Sequence, residues 1–166
     1  MRVIIATLLI IISYITTCAA GNSKILTFSV DKKPVFTLQL HKNWTSEING
    51  GKTSIDPGKF EAHIQIWNIP KASTVKDAVP IVPEIIKGDV TDFKKVKTES
   101  LTVAGSKGKH IIGTGTEADD GDPSNAEVFL FSVGDKVFLL CAHGEGTGAA
   151  KARSSILEML ATLKKL

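Results

Sequence analysis

The sequence predicts a single α+β domain built on an antiparallel sheet of about six to seven strands. Three observations carry that expectation. Apolar and polar residues alternate with period 2 in several segments separated by short turn signals. Two segments, one central and one C-terminal, switch to helical spacing. The chain of 166 residues has room for one ordinary core after a leader, with no composition shift or repeat to mark a second domain.

The leader comes first. Met1-Arg2 precedes an uncharged run from Val3 to Ser23, rich in Ile, Leu and Val as far as Ile15. Small residues follow in Thr16-Thr17-Cys18-Ala19-Ala20-Gly21. One positive charge, an apolar stretch and a small-residue exit describe a secretory signal peptide, residues 1–20, with cleavage after Ala20 or Ala19. Two rival readings use the same residues. A membrane span takes about 20 apolar residues, which this run only just reaches. A lipoprotein would carry its lipid on Cys18, although Thr17 stands where a smaller residue is usual. Residues 21–24 then form a tether, and residues 25–166 the domain. Removing the leader leaves 146 of the 166 residues and one cysteine, Cys141, so the domain has no internal disulfide. Lys and Arg total 20 against 17 for Asp and Glu, a formal net charge of +3. So small an excess, without a clustered basic face, argues against nucleic acid as a partner.

Leu26, Phe28 and Val30 alternate with polar residues, as do Phe36, Leu38 and Leu40; Asp31-Lys32-Lys33-Pro34 between them reads as a hairpin loop. Asn49-Gly50-Gly51 and Pro57-Gly58 mark a loop region with no clear element. A strand follows, with Ala62, Ile64 and Ile66 on one face and His63, Gln65 and Trp67 on the other. From Ser73 to Lys87, Val75, Ala78, Val79, Val82 and Ile86 fall at helical spacing behind a capping-box start at Thr74 and Asp77. Pro80 and Pro83 interrupt this segment, which predicts a kinked helix or two short turns. Four strands come next, at Phe93 to Val103, Lys109 to Thr116, Glu127 to Val133 and Lys136 to His143, with turns at Ala104 to Gly108 and Gly134-Asp135. The last two are apolar on both faces and so read as central. Ala152, Ile156, Met159, Leu160 and Leu163 make one stripe of a C-terminal helix, with Lys164 and Lys165 in its last turn.

This order resembles the PsbP/Mog1/DcrB-like group. The resemblance rests on Phe36-Thr37-Leu38-Gln39-Leu40 with Trp44, on Leu101-Thr102-Val103-Ala104-Gly105, on the Val128 to Val133 strand with Gly134-Asp135 and Val137-Phe138-Leu139-Leu140, and on Ile156-Leu157-Glu158-Met159-Leu160. It covers nearly all of the chain after the leader. It implies an antiparallel sheet sandwiched between helices. It also implies a non-enzymatic role, since members are mostly photosystem-associated subunits, a Ran-binding protein and bacterial envelope proteins. The exported branch is the nearest in layout, and the group supplies no catalytic residue to carry over.

Candidate chemistry is sparse. Cys141 and His143 share a face of one strand and His110 lies on a neighbouring strand, a possible zinc set that lacks any CxxC or HxxxH pair. The alternative is a buried Cys acting as a small hydrophobe. The same Cys and His suggest a thiol nucleophile, opposed by the apolar run around Cys141, since burial raises a thiol pKa. Gly144-Glu145-Gly146-Thr147-Gly148 sits between a strand and a helix, but its spacing is neither GxGxxG nor a Walker loop, which leaves a flexible connector. Glu117, Asp119, Asp120 and Asp122 crowd one loop without an EF-hand pattern. Asn43-Trp44-Thr45 matches a glycosylation acceptor. Trp67, on the polar face of its strand, is the candidate partner-binding aromatic, and Trp44 a core-edge anchor. The expectation is an exported protein, periplasmic or secreted, with a binding or assembly role toward an envelope or secreted protein. It needs no cofactor and no catalytic residue, and it meets a membrane only through an uncleaved leader or lipid on Cys18. The alternatives are a zinc-responsive envelope protein and a thiol enzyme or hydrolase.

Overall fold

The computed structural model describes residues 24–49 and 51–166. Ala20, Cys18 and the rest of the leader lie outside the described residues, as do residues 21–23 of the tether. Strands β1 (Ile25–Val30) and β2 (Lys33–Gln39) form the expected hairpin. Its turn is the pair Asp31 and Lys32, both at positive φ, as a type I′ turn requires.

The region read as loop around residues 45–56 holds two strands, β3 (Thr45–Asn49) and β4 (Lys52–Asp56). Burial alternates along β4, but polar residues fill most of both strands. Thr53 and Ile55 are the buried residues of β4, and Ile48 of β3 is exposed. An apolar count finds nothing to hold on to there. Strand β5 (His63–Asn68) follows as expected.

The proline-containing segment breaks into α1 (Val75–Ala78), a 3-10 turn (Val79–Ile81) and α2 (Val82–Ile85). Thr74 Oγ1 accepts from the Asp77 N–H at 3.2 Å, and the Asp77 carboxylate accepts from the Thr74 N–H at 3.1 Å. Pro80 and Pro83 each stand in the first turn of a new helical piece, where a missing N–H breaks no bond.

The meander runs through β6 (Val90–Val103), β7 (Ser106–Glu117), β8 (Pro123–Val133) and β9 (Lys136–Glu145). The β6–β7 turn is shorter than expected. Ala104 and Gly105 alone make it, both at positive φ, and β7 starts at Ser106. Helix α3 (Gly148–Ala161) ends before Lys164 and Lys165. These two residues, expected in the last helical turn, form β10 (Lys164–Lys165) against β2. The Thr162 hydroxyl fixes this exit, donating to the Met159 carbonyl at 2.7 Å and accepting from the Gln39 N–H at 2.8 Å.

The antiparallel sheet has seven strands, in the order β3-β4-β5-β9-β8-β7-β6. The first hairpin does not join it. A second sheet, β1-β2-β10, lies with α3 over one face of the large one. Period 2 on each strand divides the core in two. Phe129, Phe131, Phe138, Leu140 and Ala142 face α3 and the small sheet. Phe36 anchors that side, stacked 4.6 Å from Phe28 and edge-on to Phe138 at 4.8 Å. Val128, Leu130, Val137, Leu139 and Cys141 face the opposite way, under Ala78, Val82 and Ile86 of the helical segment. Both central strands are therefore covered on both sides, as their uninterrupted apolar runs required.

Candidate functional site

The short helical segment covers only part of its face of the sheet. Along β9 the residues facing it are Val137, Leu139 and Cys141. The next residue on that face is His143, which pairs in register with His63 of β5. Beyond the helical cover an open cleft of about 980 Å³ extends from β3 and β4 across to the β7–β8 loop.

The cleft is acidic. Glu47, Asp56 and Glu61 line one side, and Glu117, Asp119, Asp120 and Glu145 the other. None of the described residues lining it is Lys or Arg, although the whole chain carries a net +3. The crowding has an electrostatic consequence. The Asp122 carboxylate, followed by partial loss of hydration and the Asp120 charge, raises the Glu145 carboxyl above its ordinary pKa.

Beneath the cleft is a buried polar cluster. Glu117 receives His143 Nδ1 at 2.9 Å and also the Ser124 hydroxyl, while Ser124 Oγ accepts from the Gly144 N–H at 3.2 Å. All three side chains are buried. Ser124 and His143 both bond the same carboxylate, so the imidazole does not stand between acid and hydroxyl. This is not the relay of a serine hydrolase, in which the histidine takes the serine proton. With Nδ1–H donated to Glu117, a neutral His143 has the Nε2 lone pair free. That atom is buried and has no hydrogen-bond partner among the described residues.

A second buried ion cluster lies on the opposite face, next to α3. His110 stacks on Phe129 at 4.3 Å, with Nε2 on the Glu127 carboxylate and Nδ1 3.3 Å from Glu99. Arg153 of α3 closes a fork on Glu127, with Nε at 3.0 Å and Nη2 on the other oxygen. Burial pushes the Glu127 carboxyl up, but the bonds from His110 and Arg153 outweigh it and hold the group below its ordinary pKa.

These positions sort the residues singled out in the sequence. Cys141 and His143 share a face as expected, but His110 is on the other side of the sheet, so the three do not converge. The reason is parity: in the β7–β8 register His110 stands opposite Phe129, whose side chain faces α3. Cys141 is completely buried, and burial pushes its thiol pKa far up. Trp67 is half-buried against the helical cluster, with Lys52 Nζ 4.6 Å above its ring. Trp44 is buried at the core edge, edge-on to Phe60 at 6.4 Å. Asn43 is exposed in the turn before β3. The Gly144 to Gly148 connector is shaped by close packing. A Cβ on Gly144 would lie 2.6 Å from the Glu61 carbonyl oxygen, and one on Gly148 would collide with the same peptide group. Sequence reading passed over His63, Glu127 and Arg153. Glu127 did give a signal, as a lone charge at the head of an otherwise apolar strand.

Neither a protein-family model nor a curated protein sequence matches this chain. Solved structures do. The solution structure of cyanobacterial PsbP from Synechocystis sp. PCC 6803 matches 89% of this chain and 96% of its own, at 12% identity and a TM-score of 0.57. The crystal structure of LpqN from Mycobacterium tuberculosis, a protein involved in cell envelope biogenesis, matches 89% of this chain and 87% of its own, at 10% identity and a TM-score of 0.51. A protein from Bacteroides thetaiotaomicron matches 79% of this chain at 18% identity and a TM-score of 0.51. This chain spans 45% of that protein's length. The fold is therefore the PsbP-like one that the element order implied.

Proposed function

We propose that this chain is an exported, non-enzymatic protein that binds or helps assemble another envelope or secreted protein. The observation carrying the non-enzymatic part is that the candidate nucleophiles beside the cleft are disarmed. Cys141, the one thiol among the described residues, is sealed in an apolar cluster, and the Ser124 hydroxyl is spent on a carboxylate. A reactive cysteine needs access and a lowered pKa, and Cys141 has neither. A thiol-reactive chromogenic probe is expected to label Cys141 only after denaturant is added. Stoichiometric labelling of the native protein within seconds would overturn this reading.

Export is supported by the leader and by the shared fold with LpqN, a protein involved in cell envelope biogenesis of Mycobacterium tuberculosis. No helix among the described residues is long and apolar enough to cross a membrane. Intact mass spectrometry of protein recovered from cell fractions is expected to show a species beginning at Gly21 or Ala20. A full-length species confined to the cytoplasm would defeat the proposal. A species beginning at a lipidated Cys18 would keep export and add an anchor.

A further inference from the structure

We propose that His63 and His143 form a binding site for a divalent transition-metal ion of the zinc class at the floor of the acidic cleft. The site is independent of whether the chain is exported. Four observations converge on it.

The first is the orphaned nitrogen. His143 is 5% exposed, and its Nε2 has no partner among the described residues. A buried polar atom left unpaired carries a free-energy cost, so it points to a partner that completes it. The second is the carboxylate on the other nitrogen. Metal-binding histidines characteristically donate their second ring N–H to a carboxylate, which fixes the tautomer and makes the free nitrogen a better donor. Glu117, 2.9 Å from Nδ1, does this for His143. Ser124 and the Gly144 N–H hold Glu117 in turn.

The third is the second imidazole. His63 and His143 are direct cross-strand partners, with ring centroids 5.6 Å apart. Two imidazoles on one tetrahedral ion, with metal–nitrogen distances of about 2.0–2.1 Å, bring their centroids to roughly 5 Å. A small rotation of the exposed His63 closes the difference. The fourth is the surrounding charge. His63 and Glu117 both line the cleft, whose other walls carry acidic groups and no Lys or Arg among the described residues, with Lys24 and Lys52 reaching only its rim at Ser46 and Gln65. That field favours a cation, and water would complete the coordination of an ion held by the two imidazoles. Imidazole nitrogen with carboxylate or water suits zinc and its neighbours rather than magnesium or calcium.

The test is calorimetric titration of the protein, purified without an affinity tag, with zinc chloride alone. One ion per chain is expected to bind at micromolar concentration. His63→Ala is expected to weaken binding at least tenfold, and His143→Gln to do the same. Gln keeps a donor for Glu117 but removes the imidazole. Should His143→Gln fail to fold, the exposed His63 decides alone. No heat at micromolar zinc would overturn the site and leave the Nε2 atom to a buried water. Zinc affinity that survives His63→Ala would also overturn it. If Asp122→Asn then abolished that affinity, the ion would belong instead to Asp120, Asp122 and Glu145, whose carboxylates lie within 4.8 Å of one another.

Discussion

Gly148→Ala is expected to destabilise the fold by about 2–3 kcal/mol, even though alanine is the better helix former. Two effects oppose each other at this residue, which begins α3. Intrinsic propensity favours alanine by at most about 1 kcal/mol. Sterics work the other way. A Cβ there would come within 2.5 Å of the Glu61 carbonyl carbon, and nearer still to its oxygen. Both atoms are backbone, so no rotamer change relieves the collision. Either the start of α3 or the segment leading into β5 must move, and overpacking of this kind costs about 1–3 kcal/mol, occasionally more. For a domain of this size the melting temperature should fall by roughly 6–12 °C. Gly146→Ala is the control. Its Cβ would enter open space, but its φ of 56° is left-handed, so the cost is conformational, about 1–2 kcal/mol. Thermal melts followed by circular dichroism compare the two. A Gly148→Ala protein as stable as wild type would show that the Glu61 contact is not a constraint.

The same glycines show where sequence reading ran out. Gly144-Glu145-Gly146-Thr147-Gly148 was legible as a strand-to-helix connector whose spacing fits neither GxGxxG nor a Walker loop. Gly144 and Gly148 answer to a contact with Glu61, more than 80 residues earlier, which no local pattern encodes. Elements with strong local signatures were readable: the Thr74–Asp77 cap, the hairpin read at Asp31 to Pro34, whose turn is only Asp31 and Lys32, and the doubly apolar strands at Val128 and Val137. Elements formed by pairing alone were not. β3 and β4 present too few apolar residues to show alternation, and β10 exists because Lys164 and Lys165 meet β2.

The candidate site divides along the same line. That Cys141 and His143 share a face follows from spacing on one strand. That His110 faces the other way depends on the β7–β8 register, and that His63 stands beside His143 depends on pairing between strands far apart in sequence. Period 2 assigns a residue to one of two faces, but only pairing says which face of a neighbouring strand matches it.

Arg153→Ala is expected to cost about 2–3 kcal/mol at neutral pH, because it leaves a buried carboxylate short of a partner. Removing one member of a buried ion pair typically costs about 3–5 kcal/mol. Two features reduce that figure here. Arg153 is partly open to solvent, which screens its charge, and His110 still bonds Glu127. The effect has a defined pH dependence. In the native fold His110 and Arg153 hold the Glu127 carboxyl below its unfolded pKa, against the opposing effect of burial. The stabilisation is therefore complete above the unfolded carboxylate range and is lost as pH falls through the depressed native value. Arg153→Ala removes part of that depression, so the mutant and wild-type melting temperatures should differ most near pH 7. They should converge only as the pH falls below the ordinary carboxylate range and through the depressed native value, where Glu127 is protonated in both. Glu127→Gln offers the complementary measurement, since it deletes the charge and keeps the shape. Its stability should lose most of the acid dependence that Glu127 contributes. A destabilisation by Arg153→Ala that stays constant from pH 7 to pH 3 would assign the role of Arg153 to packing of its aliphatic stem rather than to its charge.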